Sequence, residues 1–140
     1  MTRVPPQALP FRHVLTLPTT GSAVRVARET AEDVLVECGV GLRHPSTGRA
    51  LLILSELVTN AVRHAGPSPT ITVTYAHGPG IFAFGVHDRH PYRPPLVGAA
   101  VAPGSGLATV VETTAELGGT AVTRGDADAG GKSIWITLPL

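Results

Sequence analysis

Glu56 and Asn60 stand four residues apart in the run Ser55-Glu56-Leu57-Val58-Thr59-Asn60. On a helix that spacing makes their side chains neighbours. A carboxylate beside an amide oxygen suits a magnesium–nucleotide site, because the amide oxygen can bind Mg²⁺ directly and the carboxylate can act as a general base. Arg63 and His64 fall on the same helical face, and from this helix alone a solvated polar surface is the better explanation of that face. A second candidate is Asp88. In the run Ile81 to Asp88, residues Phe82, Phe84, Val86 and Asp88 share one strand parity, so the carboxylate points to the side of the phenylalanines. A carboxylate at the end of an apolar stripe needs a partner. The exocyclic amine of a ligand would serve; a turn aspartate capping the next loop is the alternative. The third candidate is Gly104-Ser105-Gly106-Leu107 at the start of an expected helix. Glycines there let the backbone approach a phosphate, and the helix N-terminus favours an anion.

Other chemistries fit less well. Gly131-Lys132-Ser133 looks like the end of a P-loop, but it lacks the first glycine at the right distance and precedes a strand. No strand–Gly-x-Gly-x-x-Gly–helix unit is present. His87, Asp88 and His90 could be taken for a metal centre, yet on a strand His87 and Asp88 point to opposite faces. Cys38, the single cysteine, is expected to be a small buried residue near a helix end.

The elements that must position these residues are readable from periodicity and punctuation. Phe11 to Leu17 alternates weakly and stops at Pro18. Ser22 is placed to cap a helix to about Cys38, with Val26, Val34 and Leu35 on one stripe and Gly39 and Gly41 beyond its end. Ser46 or Thr47 opens the clearest helix, to about Ala65, with Leu54, Leu57, Val58, Ala61 and Ala65 on the face opposite Glu56. Thr70 to Tyr75 alternates strictly and pairs with Ile81 to Asp88 as a hairpin across Pro79-Gly80. Tyr92 to Pro103 is a proline-rich loop. A helix follows to about Leu117, closed by Gly118-Gly119. Thr120 to Arg124 and Lys132 to Leu138 are the last strands. This order predicts an α+β chain: a two-layer sandwich with a mixed, mostly antiparallel sheet and helices on one face.

Bulk properties set limits. The 140 residues suit one domain, expected over 11–140 behind a flexible arm at 1–10. Hydrophobic residues make up 43% and aromatics 4%, so the core must be aliphatic. The net charge is +1, and Arg25, Arg28 and Arg43 are dispersed, which argues against a nucleic-acid partner. No apolar run reaches the roughly 18 residues of a membrane span, and the N-terminus has no signal-peptide core. One cysteine fits a cytoplasmic location.

Together these motifs resemble the Bergerat-fold ATPase domain of gyrase-type topoisomerases, a chaperone class and sensor histidine kinases. The closest similarity is to the anti-sigma-factor serine/threonine kinase branch. Ser55-Glu56-Leu57-Val58-Thr59-Asn60-Ala61-Val62-Arg63-His64-Ala65 is similar to that branch's N-box almost throughout. The resemblance implies Glu56 as catalytic base, Asn60 as the Mg²⁺ ligand and Asp88 as the adenine-binding aspartate. It makes Gly104, Ser105, Gly106 and Leu107 the second glycine box at the hinge of the ATP lid, Ser133 a hydroxyl supporting the adenine contact, Arg93 an added lid cation, and His64 a residue near the phosphates. It implies ATP and Mg²⁺ as cofactors and a sigma factor and an anti-sigma antagonist as partners, with a homodimer left open. The first glycine box departs from Asp-x-Gly: it reads Asp88-Arg89-His90-Pro91. A nucleotide-dependent binding module without kinase activity, or an interaction protein that binds no nucleotide, are the alternatives.

Overall fold

The computed structural model describes residues 9–64, 68–90 and 104–140, together with Pro6, Pro94 and Leu96. Five strands and three helices follow in the expected order: β1 (Phe11–Pro18), α1 (Ala23–Glu37), α2 (Pro45–His64), β2 (Thr70–Gly78), β3 (Ile81–Asp88), α3 (Gly106–Glu116), β4 (Thr120–Gly125) and β5 (Lys132–Pro139). The sheet runs β1-β2-β3-β5-β4. All four pairings are antiparallel, so the mixed component expected from the sequence is absent among the described strands.

One sheet face is covered by the helices. Ile71, Val73, Tyr75, Phe82, Phe84, Val86, Ile134, Ile136 and Leu138 project from alternate strand positions into the core. Burial of each such side chain contributes roughly 1.5–3 kcal/mol, so the alternation fixes the register firmly. α1 presents Ala23, Ala27 and Ala31 to the core along with Val34 and Leu35. These small residues bring its backbone close to the sheet, and the buried Tyr75 hydroxyl donates to the Ala27 carbonyl at 2.7 Å. Desolvation pushes the Tyr75 phenol well above its ordinary value.

α2 buries a wider arc than one stripe: Ala50, Leu51 and Ile53 join Leu54, Leu57, Val58 and Ala61. It packs against both α1 and α3, so two flanks are covered as well as the sheet side. Arg28 of α1 donates to Ser55, and Arg49 pairs with Glu116 of α3.

Helix ends follow local chemistry, with two departures. Ser22 precedes α1 but makes no cap hydrogen bond; its hydroxyl meets that of Thr20 at 3.0 Å. α2 begins at Pro45, not at Ser46 or Thr47. Proline suits the first helical position because its missing N–H would lack a partner there. His44 does the capping, its Nδ1 accepting from the Ser46 N–H at 3.1 Å. α1 and α3 both stop in Schellman turns. Gly39 and Gly118 adopt φ of +81° and +75°, and the Val40 and Gly119 N–H groups bond back to the Leu35 and Thr114 carbonyls. Cys38 closes α1 half-buried rather than buried, and desolvation raises its thiol to about 11.

The opposite sheet face carries a small second cluster of Leu9, Ala76 and Ala83. Within the segment expected to be a loose arm, Leu9 and Pro6 are therefore buried. Ala65 and the Gly66-Pro67 stop lie outside the described residues.

Candidate functional site

Glu56 and Asn60 lie on one exposed-side face of α2, both half-buried, while Leu57, Val58 and Ala61 face the core. The neighbour of Glu56 is the start of α3. A Cβ built on Gly106 would overlap the Glu56 Oε2 atom, so only glycine lets this carboxylate lie against the first residue of α3. Ser105 is the N-cap: its backbone is extended (φ −77°, ψ 162°), and its hydroxyl accepts from the Ala108 N–H at 3.1 Å. Gly104 turns the chain into the helix with φ +78°, a left-handed conformation that disfavours a side chain. Leu107 packs on the core and anchors this first turn. Thus Glu56 and the Gly104-Ser105-Gly106 turn, about fifty residues apart in the sequence, form one cradle at a helix N-terminus. Arg63 and His64 end α2, both exposed. Cationic groups there complement the negative end of the helix dipole.

Asp88 ends β3 on the core-facing parity, as the alternation predicts, and is 5% exposed. Its partner is internal. Lys132 Nζ donates to both carboxylate oxygens, at 2.9 and 3.0 Å, and also to the His90 carbonyl at 3.3 Å. The His90 N–H donates to Asp88 Oδ1 at 2.9 Å, so the turn-capping role weighed for Asp88 is realised too. Both side chains of the pair are nearly dry, at 7% and 6% exposure. A carboxylate offers about four acceptor positions, so acceptor capacity remains after these contacts.

Ser133 does not sit beside Asp88. In the β3–β5 ladder Asp88 faces Lys132 and His87 faces Ser133. Because strand side chains alternate, Ser133 points to the outer sheet face and Lys132 shares the inner face with Asp88. Lys132 is thus the partner of Asp88, which the motifs did not indicate. The signal was present: Lys132 shares parity with the buried Ile134, Ile136 and Leu138.

A clasp holds this corner. The β4–β5 turn places Asp126 on His87 Nε2 at 2.9 Å and on Arg89 Nη1 at 2.7 Å, while Arg89 Nη2 reaches Asp128 at 3.0 Å. The Arg89 hydrogen bond and the Gly130 N–H hold the Asp128 carboxyl below its ordinary range, and bonding to Asp128 raises the Arg89 guanidinium. Gly131 is wedged against the Asp88 carbonyl, which a Cβ would approach to 2.5 Å. His87 turned to Asp126 and Asp88 turned to Lys132 leave no shared point for an ion, so His87, Asp88 and His90 do not form a metal centre. Arg93 lies outside the described residues, as does most of the expected lid; Leu96 from that segment packs against the core.

Among the described residues no helix is long and apolar enough to cross a membrane. The sequence profile of the histidine kinase-like ATPase domain matches residues 17–137. The crystal structure of the RsbU and RsbW domains of Rv1364c from Mycobacterium tuberculosis superimposes with a TM-score of 0.63 at 24% identity, covering 91% of this chain and 32% of that one. Full-length ShkA in complex with AMPPNP gives 0.59 at 22% identity, over 89% and 31% of the two chains. The nucleotide-free catalytic domain of the histidine kinase ThkA gives 0.59 at 16% identity, over 91% and 97%. This chain spans about a third of the length of the first two. No curated protein matches it. The profile match covers most of the chain and agrees with the three-helix, five-strand sandwich: the chain belongs to the histidine kinase-like ATPase domain family.

Proposed function

We propose that this domain binds ATP with Mg²⁺ and transfers the γ-phosphoryl group to a seryl or threonyl hydroxyl of a partner protein, as a regulator of the anti-sigma type. The observation that carries this reading is the Glu56 carboxylate lying against Gly106 at the N-terminus of α3. The side-chain-free Gly106 and the N-terminal dipole suit a phosphate, and the neighbouring carboxylate suits a base. The donor set fits the cofactors: Asn60 supplies one amide oxygen on the face that carries Glu56, and a hard cation takes its other ligands from phosphates and water. Mg²⁺, when bound, neutralises charge on the phosphates. Glu56 would accept the proton as the hydroxyl oxygen bonds to phosphorus and ADP departs. Backbone N–H groups at the start of α3 would meet charge on the transferred group.

Asp88 is proposed to accept from the adenine amine beside Lys132, sharing its carboxylate between the two. Arg93 is proposed as an added lid cation and His64 as a residue near the phosphates. A sigma factor and an anti-sigma antagonist are the proposed partners. The alternative is a nucleotide-dependent binding module without catalysis. It is favoured by the first glycine box, where His90 replaces glycine and Asp88 is already engaged by Lys132.

Glu56→Gln separates the two. It keeps size and hydrogen bonding but cannot take the proton. General-base contributions are about 10²- to 10⁴-fold, so phosphorylation of a partner should fall by that order while ATP affinity changes far less. Transfer at the normal rate in this variant would remove Glu56 as base; no transfer in the unsubstituted protein would favour the binding module.

A further inference from the structure

His13, Glu37 and His77 come together at the end of the sheet opposite Asp88, away from the α2–α3 cradle. His13 lies on the edge strand β1, His77 near the end of β2, and Glu37 is the last residue of α1. The β1–β2 register pairs Phe11 with His77 and His13 with Tyr75, so both imidazoles project toward the helix layer, where α1 ends. Their rings are nearly parallel, 12° apart with centroids at 6.2 Å, and Phe11 covers the His77 ring at 4.8 Å. Glu37 reaches both: Oε2 lies 3.2 Å from His13 Nε2, and Oε1 lies 3.7 Å from His77 Nε2. One ligand atom from each residue fits within a 4.8 Å span.

The second observation concerns His77 alone. Its side chain is 7% exposed, and its Nε2 has no hydrogen-bond partner. Buried polar atoms are almost always satisfied, and leaving one unpaired costs about 1–3 kcal/mol. At 3.7 Å the Glu37 oxygen is too far to bond it directly. An ion between them would satisfy it. In a tetrahedral site with ligand bonds near 2.0–2.1 Å, ligand atoms stand about 3.3 Å apart. The two Glu37 separations, one from each carboxylate oxygen, are close to that value, and the three ligand atoms within 4.8 Å need only a small side-chain adjustment to close on one ion. Two imidazoles and a carboxylate select a borderline transition ion, whereas Mg²⁺ and Ca²⁺ prefer oxygen ligands throughout.

We propose that His13, Glu37 and His77 form a binding site for a divalent ion of the zinc class, with a fourth position open to water. His13 and Glu37 are 42% and 49% exposed, so an ion can enter from solvent. The site would tie the edge strand β1 and strand β2 to the C-terminus of α1.

The test is calorimetric titration of the tag-free, nucleotide-free protein with Zn²⁺, repeated with Co²⁺ by visible absorption. One saturable site and the spectrum of a low-coordinate Co²⁺ ion are expected. His13→Gln and Glu37→Gln alter half-exposed residues, so the fold should persist. Loss of even an outer-shell partner weakens metal sites by about 10- to 100-fold, so each should weaken Zn²⁺ by roughly a hundredfold or more. Zn²⁺ should raise the melting temperature of the unsubstituted protein but not of these variants. His87→Gln, at the other end of the β2–β3 pair from His77, should bind normally. No saturable binding, or equal affinity in the His13→Gln and Glu37→Gln proteins, would overturn the proposal.

Discussion

At the scale of single residues, Asp88 has two demands on one carboxylate. Its pairing with Lys132 is buried, and removing one member strands the other's charge, which typically costs about 3–5 kcal/mol. Asp88→Asn and Lys132→Met should each destabilise by that order. The double variant should lose clearly less than their sum, since neither charge remains. Urea unfolding of all four proteins measures this coupling, and strict additivity would show that the pair is not formed in solution. Nucleotide affinity must therefore be compared at matched folded fraction. There Asp88→Asn should weaken ATP by about ten- to a hundredfold, the worth of a charge-assisted hydrogen bond. Gly106 offers a sharper probe. The atom an added Cβ would meet is the far end of the flexible Glu56 side chain. Gly106→Ala should thus displace the carboxylate without unfolding α3, where alanine is the better helix former. Phosphotransfer should drop toward the Glu56→Gln level while the melting temperature moves little. Unimpaired transfer would show that the Glu56–Gly106 contact is dispensable.

At the scale of elements, the β4–β5 turn is fastened to the end of β3 by charges. Asp128 is held low chiefly by its bond to Arg89. A carboxyl depressed in the folded state stabilises at pH above its unfolded value, about 4, and that contribution is lost as pH falls through the lower folded value. The turn should therefore loosen in acid. NMR titration of the Asp128 carboxyl, with amide exchange at Gly130, checks this. Arg89→Ala should return Asp128 toward its ordinary value. An ordinary titration in the unsubstituted protein would mean that the clasp does not form. Because Gly131 presses on the Asp88 carbonyl, a loosened turn also loosens the setting of Asp88.

For the whole molecule, the three helices lie on one side of a five-stranded antiparallel sheet. A ligand held by α2, α3 and the end of β3 would bind only the folded chain. At a hundred times its dissociation constant such a ligand adds about 2.7 kcal/mol. For a domain near this size that corresponds to a rise in melting temperature on the order of 10 °C. ATP with Mg²⁺ should produce this shift, and ATP with a chelator should produce much less, because Asn60 acts through the metal. Equal shifts would remove Asn60 as a metal ligand.

The sequence by itself determined the order of elements and the faces of most of them. Alternation in Thr70 to Tyr75 and Ile81 to Asp88 has one solution that buries the apolar set, and Gly39 and Gly118 stop their helices by local geometry. It also placed Glu56 beside Asn60 and gave Asp88 its parity, because both follow from periods of 3.6 and 2. Three things belonged to the tertiary structure. Strand pairing set Lys132, not Ser133, beside Asp88; the parity of Lys132 was visible, but the register that brings it opposite Asp88 was not. The packing of α2 on α3 put Glu56 against Gly106, fifty residues along the chain, where no local period reaches. His13, Glu37 and His77 come from an edge strand, a helix end and a second strand. No motif connects them, since proximity between such segments is decided by how helix and sheet layers stack, and burial of the aliphatic core sets that stacking.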